Sequence, residues 1–520
     1  MKHFKYIVTG LFTIGMFGCT KLDEKLHDSV VTSNSGGSAS SDASALLTGA
    51  YNDLNGLFHN QDQIFSLEEN TSDECLVPTR GGDWDDNGVW RVLHAHAWDA
   101  THGQTSSVFT GLGKMESDAT TVLAFNPTSE QAAEASFLRT MAQFYFLDLY
   151  GQVPYRTVGA YNGIGPAPVM QPAAAIDSMV ATLTAIIPQL SASNAPYRAS
   201  PDAARFLLMK VLLNKGAFIN RQSPTFDNAD MQQVITLGQQ IMNSGTYSLT
   251  TNYFDNFGPQ NATTSHEMIL AYPNNGSASN NGISNGGIAA RWMMTLHYNS
   301  WDKQAPNAGW NGFSTVADFY NAFGSGDTRV GGQAYPGVTD VSGLKPGMLV
   351  GQQFDENGNP EKDRKGNPLS FTPEVNLVEA NPNTLEVTGI RVIKYPPDYN
   401  GYTNPARNQL IFFRYADVVL MVAEAQMRGG DATSAAATVN TLRAKRGAAA
   451  IGGTLDAATL LAERGREMYW ESWRRQDLIR FGQFLQPWAL KTTDNPKYLL
   501  FPIPSTQLVA NPNLKQNPGY

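Results

Sequence analysis

Apolar and polar residues alternate with a helical period over most of the chain. Gln131–Tyr150 places its apolar side chains on one stripe and stops at Gly151, with a proline shortly beyond. This pattern is typical of a helix that buries one face and ends at a glycine. Ser200 and Pro201 predict the start of another helix, because serine caps a helix N-terminus and proline fits the first turn.

Three more helices are predicted towards the end of the chain, over 414–428, 433–446 and 456–481. Short turns that contain glycine separate them, and alanine occupies positions of close helix contact. Such helices are similar to tetratricopeptide-type pairs, in which each pair packs on the next. We therefore expect a mostly α-helical body.

Two regions, 68–103 and 272–405, interrupt the helical pattern with glycine, asparagine, proline and aromatic residues. Within the second region, Asp355–Gly358 and Arg364–Asn367 have the turn composition of short β-hairpins. A helical scaffold that displays long irregular loops commonly uses those loops for binding.

Composition excludes several classes of protein. The 520 residues include 37 Lys and Arg against 46 Asp and Glu, a net charge of −9. An acidic balance without a basic stripe argues against nucleic acid as a partner. The two cysteines, Cys19 and Cys75, exclude a disulfide scaffold and a four-cysteine metal site.

The N-terminus has the composition of an export signal. Lys2 and Lys5 precede an apolar run that is too short to span a bilayer, and Cys19 follows. We expect a lipoprotein signal peptide over 1–18 and a lipidated Cys19 with a Ser/Gly-rich tether over 19–44. The alternative is an ordinary secreted protein in which Cys19 is a free thiol.

The nine tryptophans fall into three groups. These are Trp84, Trp90 and Trp98; Trp292, Trp301 and Trp310; and Trp470, Trp473 and Trp488. The third group lies in or beside a predicted helix, so we expect it to be core. The first two groups lie in polar, glycine-rich sequence, where a ring can stack on a sugar while nearby polar side chains bind its hydroxyls. The alternative is that these rings fasten loops to the body.

The candidate glycan-binding residues combine those rings with neighbouring polar side chains. They are Asp73, Asp83, Trp84, Asp85, Trp90, Trp98, Trp292, Tyr298, Trp301 and Trp310.

A metal site has weak support in the sequence. The loop Asp83–Gly88 opens like a calcium-binding loop, but His94 stands where the closing glutamate should be. An EF-hand is therefore rejected, and a weaker structural calcium site stays an alternative. His94, His96 and His102 lack the spacing and supporting residues of a transition-metal site, so no metal or other cofactor is expected.

Catalytic residues are not assigned. Glu467 and Glu471 lie one helical turn apart, but an ion pair such as Glu471 with Arg475 favours ionised carboxylates, the wrong state for a general acid. A glycoside hydrolase that uses the Asp83–Asp86 loop stays an alternative.

One segment carries a family resemblance. Arg464–Gly482, with the sequence RGREMYWESWRRQDLIRFG, resembles the signature helix of the SusD/RagB outer-membrane lipoproteins of Bacteroidetes. Phe137–Pro154, Arg414–Ala425, Val439–Gly447 and the ending from Asn511 are similar to further segments of that family, in the same order. The resemblance therefore covers essentially the whole chain.

The resemblance implies a SusD-like fold, in which tetratricopeptide-like helical pairs scaffold a loop-rich irregular half with short β-hairpins. We expect a helical N-terminal region over 45–260 and a RagB/SusD C-terminal domain over 261–520, with the loop-rich insert 272–405. Within this fold the signature helix is expected to be a salt-bridged core element.

The resemblance also implies a function. Such proteins sit on the outer face of the outer membrane, held there by the lipid on Cys19. They are not enzymes; they capture oligo- or polysaccharides, or peptides in some members, and pass them to a SusC-like TonB-dependent transporter. The density of tryptophan favours a sugar over an extended peptide, which would need free strand edges.

Overall fold

The computed structural model describes residues 39–159, 165–274, 287–300, 309–399, 406–492 and 495–520. The predicted signal peptide, Cys19 and Trp301 lie outside these residues. The first helix starts at Ala39, inside the segment predicted as a tether.

Helices dominate the described residues, as predicted. The α-helices are α1 Ala39–His59, α2 Ile64–Glu69, α3 Arg91–His94, α4 Gly103–Ala124, α5 Ser129–Tyr150, α6 Pro172–Ile186, α7 Pro201–Ile219, α8 Asn228–Met242, α9 Asn261–Thr264, α10 Ala290–Met293, α11 Ala317–Asn321, α12 Thr339–Ser342, α13 Tyr415–Arg428, α14 Ala432–Lys445, α15 Ala457–Met468, α16 Arg474–Arg480 and α17 Ser505–Ala510. The long helices pack as a series, with α1 on α4, α4 on α5, and so on through α6, α7, α8, α13 and α14. This series confirms the repeat-like packing of helices.

Local sequence sets the ends of these helices, as predicted for Gly151, Ser200 and Pro201. Thr128 caps α5 and exchanges hydrogen bonds with Gln131, and Gly151 ends the helix with φ 72°. Ser200 caps α7, and Pro201 occupies its first turn. Each cap satisfies backbone groups that the helix itself leaves without partners.

The strands are short and occur in pairs. They are β1 Thr79–Arg80, β2 Val153–Pro154, β3 Val169–Met170, β4 Met268–Tyr272, β5 Gly347–Leu349, β6 Gly351–Gln352, β7 Ser370–Phe371, β8 Val378–Glu379, β9 Arg391–Ile393 and β10 Leu410–Arg414. β1 pairs with β8 in parallel, whereas β2–β3, β4–β10, β5–β9 and β6–β7 are antiparallel pairs. Five of them, β5 to β9, lie in the loop-rich insert.

Both predicted hairpin turns are present. The Asp355 N–H donates to the Asn359 carbonyl, and the Asp363 N–H donates to the Asn367 carbonyl, each at 2.9 Å. Each turn contains a glycine in the left-handed conformation. The angle φ is 78° at Gly358 in the first turn and 86° at Gly366 in the second.

The prediction of one helix over 456–481 is wrong. The segment is divided into α15 and α16 by a turn in which Trp470 and Ser472 have φ of 57° and 66°. A right-handed helix cannot continue through left-handed residues. The turn redirects Glu471, which pairs with Lys394 at 2.6 Å and with Arg414 at 2.7 Å instead of with Arg475.

A buried ion-pair network fastens the insert to the helices. We define it by its members: Glu267, Arg329, Lys394, Arg414, Arg446, Glu463, Glu467 and Glu471. Glu467 is the shared acceptor of Arg414, Arg446 and Arg329, at 2.7, 2.9 and 3.1 Å. Burial would raise the pKa of Glu467, but the three guanidinium groups lower it well below its usual range. The signature segment is therefore a structural element, as expected.

Candidate functional site

Two of the three tryptophan groups meet in the structure. The Trp84 ring lies 5.2 Å from Trp90, 5.5 Å from Phe313 and 6.5 Å from Trp310, measured between ring centroids. The Trp84 Nε1–H donates to the Trp310 carbonyl at 2.7 Å. We call Trp84, Trp90, Trp310 and Phe313 the aromatic cluster.

A tight turn presents Trp84 in this cluster. The backbone of Arg80 and that of Asp83 exchange hydrogen bonds of 2.9 and 3.1 Å, and Trp84 itself has φ 60°. The indole lies directly on the backbone of Gly312, where a Cβ atom would come within 2.3 Å of the ring. One side of the ring is thus covered by protein, and the side chain as a whole remains half-buried.

Polar side chains surround the same turn. The Tyr298 hydroxyl donates to the carboxylate of the exposed Asp83, and the Arg364 guanidinium lies 3.6 Å from the Tyr298 ring centroid. Burial, together with the Asp83 carboxylate, raises the pKa of Tyr298, so its hydroxyl keeps its proton at neutral pH.

Glu386 holds Arg364 in place. It accepts from Arg364 Nε at 2.8 Å and from His297 Nε2 at 2.9 Å. Burial opposes ionisation of Glu386, but these hydrogen bonds outweigh it and lower its pKa to about 2. Glu386 is therefore an anion at neutral pH and fixes the guanidinium over Tyr298.

Arg364, Glu386 and Phe313 are site residues that sequence reasoning missed. Arg364 was placed only in a hairpin turn, which is correct, but its contact with Tyr298 depends on how distant segments meet. Local sequence carries no signal for that contact.

The three carboxylates of the Asp83–Asp86 loop point to separate partners. Asp83 accepts from Tyr298, Asp85 pairs with Arg91 at 2.5 Å, and Asp86 accepts from Trp90 Nε1 at 2.6 Å. Over the described residues, no group of three or more His, Cys, Asp or Glu side chains is arranged to hold a metal ion. The arrangement also differs from a hydrolase pair, which needs two carboxyl groups that face each other across a sugar.

Several candidate residues are enclosed by protein. The exposed fraction is 5% for Trp90, 1% for Trp98 and 2% for Trp292. Trp98 donates to the Tyr520 hydroxyl at 2.8 Å, and Asp73 pairs with Arg474 at 2.6 Å. The idea that polar surrounding sequence keeps these three rings out of the core is wrong, because distant segments supply the apolar neighbours that their own segments lack. Their role as ligand contacts stays a prediction.

The three histidines beside the loop are buried and bonded to the backbone. The carbonyl oxygens of Ala489, Thr71 and Val89 lie 2.8 to 3.0 Å from Nε2 of His94, His96 and His102, in that order. Burial lowers the pKa of all three side chains, so they are neutral at pH 7. They hold the loop in position.

Trp470 and Trp473 are core residues, as expected, with exposed fractions of 3% and 2%. Trp488 is half-buried and packs on His96 and Phe484, apart from the aromatic cluster.

Comparison with known proteins identifies the family. The model of the SusD family, SusD_RagB, matches residues 239–497, about half of the chain. The starch-binding protein SusD of Bacteroides thetaiotaomicron is 25% identical, over 88% of this chain and 85% of that protein. The chain belongs to the SusD family, whose named members are binding proteins rather than enzymes.

Solved structures share the fold. A laminarin-binding SusD-like protein has a TM-score of 0.69 at 19% identity, over 92% of this chain and 99% of that one. Surface glycan-binding protein A from Bacteroides thetaiotaomicron, solved with laminarihexaose, has a TM-score of 0.68 at 16% identity, over the same shares of the two chains. Both likenesses confirm a mostly α-helical SusD-like fold.

Proposed function

We propose that the protein is a cell-surface glycan-binding lipoprotein of a nutrient-uptake system. It captures an oligo- or polysaccharide at the aromatic cluster and delivers it to a SusC-like TonB-dependent transporter. Lipid on Cys19 holds it to the outer membrane. No helix among the described residues has the length and apolarity to cross a membrane.

The observation that carries the proposal is the setting of Trp84. Its indole is fixed by the hydrogen bond to Trp310 and by the contact with Gly312. A ring that is already immobile loses little conformational entropy when a ligand packs on it. A half-buried, rigid aromatic surface is what the C–H face of a sugar requires.

Polar groups beside Trp84 supply the second requirement, which is binding of hydroxyls. Asp83 is exposed and can accept hydrogen bonds. The Arg364 side chain is 41% exposed, and Glu386 accepts hydrogen bonds from its Nε and its backbone N–H, so the two terminal nitrogens can serve as donors. An acceptor and a donor next to a ring can bind vicinal hydroxyls in one orientation.

The relatives support the same class of cargo. The curated relative is described as starch-binding, and the two solved structures are described as binding laminarin or holding laminarihexaose. Their cargo differs, being starch for the first and laminarin or laminarihexaose for the others. The proposal for this chain is therefore the class of glycan rather than one polysaccharide.

The test is binding of the soluble form, residues 20–520, to starch, laminarin and other plant, microbial and host glycans. We expect retention on an affinity gel of one polysaccharide class, and a loss of affinity of about tenfold or more in Trp84→Ala. Calorimetry with the matching oligosaccharide measures that loss. Trp488→Ala is the matched control, because it removes another half-buried tryptophan outside the cluster.

Two outcomes would contradict the proposal in different ways. Wild-type affinity in Trp84→Ala would place the site elsewhere on a glycan-binding protein. A folded wild-type protein that binds no glycan in the panel would direct attention to peptides as cargo.

A further inference from the structure

A pocket lies apart from the aromatic cluster and is lined partly by residues of the loop-rich insert. It is a cavity of about 430 Å³, and its lining shares no residue with the cluster. The side chains that matter here are Asp255, Gln260, Tyr335, Val341, Tyr399 and Arg407. Its volume is within the range of small-molecule sites, roughly 300–1,000 Å³.

Tyr335 forms a fixed aromatic wall of this pocket. It is the first residue of a turn in which Pro336 is followed by Gly337 at φ 78°, and the Val338 N–H donates to its carbonyl at 3.1 Å. The phenol ring rests on Gly258, where a Cβ atom would come within 2.2 Å of the hydroxyl oxygen. The glycine thus lets the phenol approach the backbone closely.

The Tyr335 hydroxyl lies beside the Asp255 carboxylate. Asp255 accepts a hydrogen bond from Asn252 Nδ2 at 2.9 Å. The carboxylate is thus positioned by the Asn252 amide and retains lone pairs for a further donor, since an ionised carboxylate offers about four acceptor sites.

Tyr399 and Arg407 line another part of the pocket. The Tyr399 hydroxyl is bonded to Ser342 Oγ. Arg407 pairs with Asp398 through Nε at 2.8 Å and Nη2 at 3.0 Å, and the Asp398 side chain is only 1% exposed. The buried Asp398 carboxylate thus holds the guanidinium, while 42% of the Arg407 side chain is exposed.

We infer that this pocket binds one sugar ring of the captured glycan, as a second carbohydrate site. Two tyrosine rings with Pro259 and Val341 supply apolar contact, while Asp255, Gln260 and Arg407 supply acceptors and donors for hydroxyls. A cation fits poorly, because the Arg407 guanidinium lies in the same lining and already pairs with the Asp398 carboxylate. An apolar ligand fits poorly too, because it would strip water from Asp255 and Arg407 without replacing their hydrogen bonds.

The inference rests on the proposed function for the class of ligand. Its consequence is that one polysaccharide chain engages the protein at two points. Two linked contacts bind far more tightly than either alone, so the second pocket acts on polymers more than on short oligosaccharides.

The experiment compares polymers with oligosaccharides. Wild type, Val341→Lys and Tyr335→Ala are measured on affinity gels of laminarin and starch, and by calorimetry with laminarihexaose and maltoheptaose. Val341 is 48% exposed, so the lysine blocks the pocket without disturbing the core. Val509→Lys is the matched control. Val509 is 88% exposed on α17, and the substitution adds the same charge away from the pocket.

We expect both pocket variants to lose about tenfold in affinity for the retained polymer, while the oligosaccharide keeps its affinity at the Trp84 site within about twofold. Unchanged polymer affinity in Val341→Lys and Tyr335→Ala, with a wild type that binds, would overturn the second site alone. A folded wild type that binds neither these four probes nor any other glycan of the panel would overturn the assignment of both sites to sugar.

Discussion

The buried ion-pair network and the surroundings of the aromatic cluster both contain arginine and acidic side chains, but they differ in how far these side chains are exposed to a ligand. In the network, arginines and glutamates are fully enclosed and satisfy one another, as Glu467 does with its three guanidinium partners. At the cluster, Asp83 and Arg364 are partly exposed, and only part of their hydrogen-bonding capacity is used inside the protein. Charged residues whose partners are all internal contribute to the fold, whereas charged residues with spare capacity beside a fixed ring are available to a ligand.

The largest expected effect comes from breaking the network. Glu467→Gln removes the negative charge that three buried arginines share, and leaving a buried charge without its partner costs about 3–5 kcal/mol. We expect a loss of that order in the free energy of unfolding, measured by urea denaturation. Glu130→Gln, at an exposed position of α5, should change it by less than about 1 kcal/mol. Equal stability of the two variants would show that the network does not hold the fold.

The second effect is a pH dependence of stability set by buried carboxyl groups beside Trp470. Burial raises the pKa of Glu69 to about 7, although hydrogen bonds with Glu74 and with the Ser472 N–H oppose the shift. Burial also raises the pKa of Glu68 and Glu74.

The sign follows from proton binding. Below pH 4.5 Glu69 is protonated in both states, and between about 4.5 and 7 only the folded state keeps the proton. The free energy of unfolding should therefore fall as pH rises from 4.5 to 7, by on the order of 1–3 kcal/mol from this group. Glu69→Gln should flatten that slope in denaturation at several pH values, and Glu130→Gln should keep it. An unchanged slope in Glu69→Gln would refute the assignment.

Glu386, beside the aromatic cluster, should give the free energy of unfolding the opposite dependence on pH. Its pKa of about 2 lies below the unfolded value, so its contribution is present above pH 4.5 and is lost as pH falls towards 2. The position of Arg364 should thus be constant throughout the neutral range.

The smallest effect tests the polar side of the aromatic site. Arg364→Gln removes the charged guanidinium with its two terminal nitrogens. We expect about tenfold weaker glycan binding by calorimetry, with the fold intact. Arg364→Lys should recover part of the loss, because lysine keeps the charge but not the planar pair of donors. Lys365→Gln, at the next residue, is the control. Full affinity in Arg364→Gln would limit the site to the rings and Asp83.

Helical periodicity and caps predicted most of the scaffold, because those signals are local. Gly151, Ser200 and Pro201 lie where the start and stop patterns placed them. The break inside 456–481 could not be read in the same way. It depends on Trp470 and Ser472 adopting left-handed backbone so that Glu471 reaches Lys394 and Arg414, which are distant in sequence.

The candidate site stays a prediction. The association of tryptophan with polar loops placed Trp84 and Trp310 in two separate candidate groups, which the structure brings together, and it also included Trp98 and Trp292, which are buried. Burial of a loop tryptophan depends on which segment folds over it. The presence of Arg364 at the same surface likewise depends on tertiary contacts that no local pattern encodes.

The contact between Trp84 and Gly312 constrains how such a site can diversify in evolution. Any side chain at 312 would collide with the indole, so a lineage that replaces this glycine must also give up or move the tryptophan. We therefore expect the two positions to change together, although they lie far apart in the sequence. Asp83 and Arg364 contact the site through their side chains, so each can be substituted without a backbone clash of this kind. A change of cargo can thus begin with the polar residues while the aromatic ring stays in place.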